Sequence, residues 1–165
     1  MSGTRRARKI GFAAAGLGLV VDQTFKIWML GPFDIEDKGR VALTPFLDLV
    51  MVWNRGISYG LFTQEGDAGR WFLVALGVAG AGLFSWWLWM TRGALAALSL
   101  GLVIGGAVAN VIDRLVYGAV ADFFLFRVGD FEWYVFNLAD AWIVAGAAGL
   151  VLSWAMERPE IATET

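Results

Sequence analysis

Four stretches of the chain, about residues 10–30, 71–90, 94–117 and 137–155, run apolar for the length of a bilayer, and the segments between them do not. About 20 apolar residues in a helix cross a hydrocarbon core of about 30 Å, so each stretch is expected to be a membrane-spanning helix. Arg92 and Gly93 leave only a short link between the second and third stretches, which makes those two helices antiparallel neighbours. The first stretch follows MSGTRRARK and could be read as the apolar part of a cleaved leader. Its small residues lie inside the run, and apolar character resumes through Phe25 to Leu30, so it is expected to be retained as a helix.

The two long intervening segments read differently. Residues 31–69 begin with a turn-rich acidic surface, Asp34 to Arg40, and continue as VALTPFLDLVMVW, whose β-branched and large apolar residues in short runs suit strands. Asn54, Arg55 and Gly56 interrupt this run as a turn would, and ISYGLF resumes extended character, so a small antiparallel element is expected there. In residues 118–136, Gly118 breaks the third helix, VADFFLF is apolar and extended, RVGDFEW supplies a polar turn and YVFN re-enters. Non-helical backbone at this depth must line protein or water to satisfy its amides. The expected fold is an all-α membrane protein, one domain over residues 1–165, with four transmembrane helices, a small extracytoplasmic β element and a re-entrant or extended loop.

Charge orients the pattern. Arg5, Arg6, Arg8 and Lys9 precede the first stretch, Arg92 joins the second and third, and Arg158 follows the fourth. Asp34, Glu36, Asp37, Glu65, Asp67, Asp130 and Glu132 lie on the opposite side, so by the positive-inside rule both termini are expected in the cytoplasm. Hydrophobic residues make up 58% of the 165 and charged residues only 17%, against about 25% in a soluble domain. The net charge of -2 leaves no basic face for nucleic acid. Cysteine and histidine are both absent. Any catalysis must therefore do without a thiolate or an imidazole base, and carboxylates, hydroxyls and lysine remain.

The carboxylates gather at the outer mouths of the helices. Asp22 and Lys26, four residues apart, share a helix face and read either as a neutralising pair or as support beside a site. Asn54 reads equally as a turn residue or a substrate contact. Asn110, Asp113 and Arg114 can meet at the end of the third helix, with Asp113 and Arg114 preferred as a structural pair that neutralises itself. Asp122 and Asp140 sit near one membrane plane, and if they face each other only one can readily ionise. Such a pair can activate water and protonate a leaving amine, as in aspartic proteases. From the residues alone a proton or cation path through the same acids, and a structural role with Asp140 capping the fourth helix, stand equally open. Ser58 has no base in view, Ser99 lies at mid-span where it bonds back to its own helix, Ser153 lies near the cytoplasmic end, and a metal site from Asp22, Asp122 and Asp140 has no ligand spacing to support it.

Five blocks in order, DQTFK, NRGISYG, ANVIDR, VADF and FNLAD, resemble the lipoprotein signal peptidase family, the bacterial type II signal peptidases, over essentially the whole chain. The resemblance implies an aspartic endopeptidase of the bacterial inner membrane, its active site at the extracytoplasmic face. It would remove the leader of a prolipoprotein on the N-terminal side of its diacylglyceryl-modified cysteine. It implies Asp122 and Asp140 as catalytic residues, with Asp22, Lys26, Asn54, Gly56, Asn110, Arg114 and Asn137 around substrate. It further implies no cofactor or metal, lipid and lipidated prolipoproteins as partners, and a monomer. Ser58, Tyr59 and Ala109 depart from the family's usual alanine, phenylalanine and glycine, which bears on the pocket wall. The reading kept beside it is a small proton- or cation-coupled transporter or channel component using the same aspartates.

Overall fold

The computed structural model describes residues 2–56 and 67–157. In chain order these form α1 (Ser2–Leu30), α2 (Ile35–Lys38), β1 (Val41–Thr44), β2 (Leu47–Asn54), α3 (Asp67–Met90), α4 (Ala94–Val116), β3 (Val120–Val128), β4 (Phe131–Phe136) and α5 (Leu138–Glu157). The four long helices are each apolar and long enough to cross a membrane. Helix α1 begins earlier than the apolar pattern, at Ser2, and Arg8 near its start is tied to the end of α3. The Arg8 guanidinium lies 3.8 Å from the Trp89 ring centroid and its Nε donates to the Trp89 carbonyl.

Helix α4 is the axis of the bundle and packs against α1, α3 and α5. Its small residues explain how. A Cβ added to Gly105 would stand 2.6 Å from the Ala15 carbonyl oxygen on α1, one added to Gly101 would collide with the Gly11 carbonyl, and one added to Gly106 would collide with the Ala139 carbonyl on α5. Close backbone approach replaces the hydrophobic drive that lipid does not supply. The outward faces remain apolar, with Trp86, Trp87 and Trp89 exposed together at one end of α3.

The strands form one antiparallel sheet in the order β1-β2-β3-β4 at one end of the bundle. The outcome differs from a local hairpin within residues 31–69. β2 does pair with β1, but its other edge pairs with β3, from beyond α3 and α4, with Asn54 opposite Val120 and Val52 opposite Asp122. The continuation expected over ISYGLF, with Ser58 and Tyr59, lies outside the described residues. The expected polar turn in RVGDFEW contracts to Gly129, at φ 59°, and Asp130, joining β3 to β4 as a hairpin. Beneath the sheet, Phe25 of α1 stacks on Phe124 at 5.4 Å and meets Phe123 edge-on, among buried Met29, Ile35, Leu49 and Ala121. The sheet is therefore seated on the end of α1. Across its strands the buried Asp48 accepts from Arg40 and Arg127, and Arg40 also pairs with Glu132. Burial opposes the charge on Asp48, but the two guanidiniums outweigh it and hold its carboxyl below the ordinary carboxylate range.

Candidate active site

The first turn of α5 is a reciprocal cap. Asn137, just before the helix, accepts the backbone N–H of Asp140 on its Oδ1 at 2.9 Å, and the Asp140 carboxylate accepts the backbone N–H of Asn137 at 3.4 Å. This is a capping box with asparagine and aspartate in the two roles, and it fixes the Asp140 carboxylate at the mouth of α5. The amide nitrogen of Asn137 remains free to turn elsewhere. It donates to Asp122 Oδ1 at 2.6 Å and to Asn110 Oδ1 at 3.2 Å. Asn110 in turn donates to Asp140 Oδ1 at 2.9 Å. A single buried asparagine thus bridges the carboxylates of Asp122 and Asp140.

Asp122 is fully buried on β3, and its second oxygen accepts from Asn54 Nδ2 at 3.0 Å. Asn54 performs both roles that its sequence position allows: its Oδ1 accepts the Gly56 N–H at 3.0 Å, closing a turn, while its amide nitrogen reaches the aspartate. Burial and then the charge of Asp140 push the Asp122 carboxyl up to about 7, against the hydrogen bonds from Asn54 and Asn137 and the positive charge of Lys26.

Behind this lies a buried ionic knot. Lys26 pairs with Asp22 at 2.8 Å and with Asp113 at 2.6 Å, all three side chains being almost wholly excluded from solvent. Gln23 donates to Asp113 Oδ1 at 2.9 Å. The two acids face outward again to the backbone: Asp22 accepts the N–H of Ala139 and Asp113 the N–H of Ala121. Ala139 precedes Asp140, and Ala121 precedes Asp122. The knot therefore grips the main chain immediately beside each acid of the bridged pair.

This corrects the expected pairing of Asp113 with Arg114. Successive residues on a helix point about 100° apart, and here Asp113 turns toward α1 and the knot while Arg114 turns toward the site. The Arg114 guanidinium donates to the Gly56 carbonyl at 3.0 Å and to the Asn110 carbonyl at 3.3 Å. Lys26, four residues from Asp22, was legible as a partner for that acid; its second partner on another helix was not. The backbone contacts of Ala121 and Ala139 carry no side-chain signal, and Asp48, a lone acid in an apolar strand, was the one available hint of the sheet's arginine clamp.

A cavity of about 260 Å³ opens between α3, α4 and α5, lined by Asn54, Gly56, Asn110, Arg114 and Asp140 on one side and by Leu73, Leu76 and Gly77 on the other. Among the described residues no cluster of acids has the arrangement of a metal site.

The sequence model described as signal peptidase (SPase) II matches residues 14–156. A lipoprotein signal peptidase of Beijerinckia indica subsp. indica is 53% identical over 145 residues, covering 88% of this chain and 87% of its own. One from Methylobacterium sp. strain 4-46 is 47% identical over 155 residues, covering 93% and 94%. A bacterial membrane enzyme solved by the in meso method at 2.3 Å resolution shares the fold, with a TM-score of 0.78 at 18% identity over 94% of this chain and 93% of its own. Matched nearly end to end by close relatives and by the family's own sequence pattern, the chain belongs to the signal peptidase II family, multi-pass peptidases of the bacterial inner membrane that process lipoproteins.

Proposed function

We propose that Asp122 and Asp140 are the catalytic pair of an aspartic endopeptidase that cuts a prolipoprotein on the N-terminal side of its diacylglyceryl-cysteine. The observation that carries this reading is the asparagine bridge, which holds two carboxylates in one buried network. With Asp122 pushed up to about 7, the pair retains a proton near neutrality. In the reaction the anionic member takes a proton from water as its oxygen bonds to the scissile carbonyl carbon. The protonated member supplies a proton to the departing nitrogen as the C–N bond breaks, so charge and protons balance within the pair. Asn54, Asn110 and Asn137 donate to the carboxylates without titrating, which fixes their orientation while leaving the proton on the acids. Arg114 presents its guanidinium to the cavity in which the peptide backbone would lie. The sheet end of the bundle is the extracytoplasmic face in this reading, and the protein acts as a monomer without metal or cofactor.

The test is cleavage of a diacylglyceryl-cysteine prolipoprotein peptide in nanodiscs by matched amounts of folded wild type, Asp122→Asn and Asp140→Asn. Each change keeps the side chain's shape and removes its ability to exchange a proton. Turnover should fall by roughly three or more orders of magnitude in either variant, with the double variant little worse, because residues that act as a unit lose their effect together. Near wild-type cleavage by either single variant would overturn the assignment.

A further inference from the structure

Arg55 turns away from the site that its neighbours line. Asn54 and Gly56 belong to the cavity beside Asp140, whereas Arg55 lines a separate cavity of about 490 Å³ at the sheet ends of α3 and α4, and nothing above uses it. Trp53, Asp67, Arg70, Tyr117, Gly118 and Ala119 complete its wall. Arg70 reaches it from the first turn of α3. One Nη of Arg70 donates to the Leu115 carbonyl at 3.2 Å, and the guanidinium carbon lies 5.3 Å from the centroid of the Trp71 ring, within cation–π reach. Its Nε is buried and has no hydrogen-bond partner. Among the described residues neither Arg55 nor Arg70 is in an ion pair, although Asp67 is three residues from Arg70 on the same helix. Opposite the arginines, the rings of Trp53 and Tyr117 lie 5.3 Å apart. The Trp53 Nε1 donates to Glu36 at 3.2 Å, so the one donor of that indole is already taken.

We propose that this cavity binds a phosphate ester, presented by the headgroup of an anionic phospholipid. Two guanidiniums face one carboxylate, that of the exposed Asp67, so the cavity is positive on balance. A guanidinium is a planar fork of donors that matches two oxygens of a phosphate. A phosphate oxygen at Arg70 would also give the buried Nε the acceptor it lacks, and an unpaired buried donor is costly to leave. The place of the cavity identifies the source of the phosphate. It lies where two spans end, with Arg70 in the first turn of α3 and Tyr117 directly after α4. Its lip is apolar and faces outward: Trp71 and Phe72 on α3 and Leu115 and Val116 on α4 are all exposed. Trp71 and Tyr117 at the ends of their spans are placed as aromatic rings at headgroup level are. A basic pocket between membrane helices at that depth meets lipid phosphate, while the acyl chains lie along the exposed Phe72 and Val116. A soluble anion would gain nothing from such a lip.

Lipid binding to the folded protein tests this. Monodisperse protein in detergent would be titrated with phosphatidylglycerol or with phosphatidylcholine of the same acyl chains, and the bound lipid read by native mass spectrometry. Wild type would be compared with Arg55→Gln and Arg70→Gln, with Arg92→Gln as the control. Arg55 is exposed and outside every ion pair of the described residues, so its replacement leaves the fold intact even if Arg70, which also holds the Leu115 carbonyl, proves necessary for folding. Arg92 is a cation at the other end of the same two helices. Wild type should bind phosphatidylglycerol more tightly than phosphatidylcholine. Arg55→Gln and Arg70→Gln should each weaken phosphatidylglycerol about fivefold, the scale of one basic residue beside anionic lipid, and weaken phosphatidylcholine less, while Arg92→Gln keeps the wild-type preference. No preference in wild type, an undiminished preference in Arg55→Gln, or the same loss in Arg92→Gln would overturn the proposal. Soluble glycerol phosphate distinguishes the source: binding as tight as that of phosphatidylglycerol, and lost in the same variants, would assign the cavity to a free phosphate ester and overturn the lipid assignment. The measurement reads bound lipid and not cleavage, so its outcome is independent of the endopeptidase reading.

Discussion

Asp122 has a folded-state carboxyl near 7 and an ordinary value of 3.8 once exposed, so between those values the folded protein binds a proton that the unfolded chain has released. Stability from this group is therefore fully present below about 3.8 and is lost as pH rises through about 7. The unfolding temperature in detergent should fall between pH 5 and pH 8 more steeply in wild type than in Asp122→Asn; parallel slopes would contradict the origin assigned to the shift. Activity should trace a bell whose upper limb reflects loss of the pair's last proton, with both limbs belonging to the coupled pair. Lys26 poses a different residue-scale question, because it faces two buried carboxylates. Lys26→Met leaves both without a cation and should cost about 3–5 kcal/mol of stability, seen as loss of monodisperse protein. Arg114→Ala, which removes two hydrogen bonds to carbonyls at the cavity, should lower turnover more than folded yield. The reverse ranking would return Arg114 to a purely structural role.

At the scale of elements, the decisive contacts are backbone against backbone. Gly106 of α4 lies against the carbonyl of Ala139, whose N–H is held by Asp22 and whose neighbour is Asp140. A methyl group there cannot be absorbed by rotating a side chain, so the start of α5 must move. Gly106→Ala should therefore reduce cleavage by at least about a hundredfold, the scale at which a misplacement of about 1 Å acts on catalysis. Gly80→Ala, where an added Cβ meets nothing within 4 Å, should leave activity unchanged. Equal activity of the two variants in a matched cleavage assay would show that this helix contact does not position the carboxylate. The sheet acts in the same way from the other side, since the β2–β3 pairing brings Asn54 beside Asp122.

Over the whole molecule, the bundle carries its basic flanks at one end and the sheet with its acidic turns at the other. Arg5, Arg6 and Arg8 lie in the first turns of α1 and Arg92 between α3 and α4, while Asp130 and Glu132 lie at the β3–β4 hairpin. A cysteine placed at Asp130 in this cysteine-free chain should react with an impermeant maleimide from outside intact cells, and one at Arg92 only after permeabilisation. Labelling in the opposite sense would invert the proposed orientation.

The helices were legible from the sequence because a bilayer demands a long apolar run, and each run stands out without reference to its neighbours. Asp122, Asp140 and the asparagines were legible as candidates because polar groups at a helix mouth are costly and few. The partners of these groups were not. Lys26 is four residues from Asp22 but 87 from Asp113, and no local pattern records which of two adjacent residues, Asp113 or Arg114, will turn toward it. Strand character was visible in LDLVMVW and VADFFLF, yet an unpaired strand edge is satisfied by any strand of matching register, so only folding decides that β2 pairs with β3 across two helices. Composition and periodicity determine which segments leave water; close approach through glycine and the satisfaction of buried charge decide which of them meet.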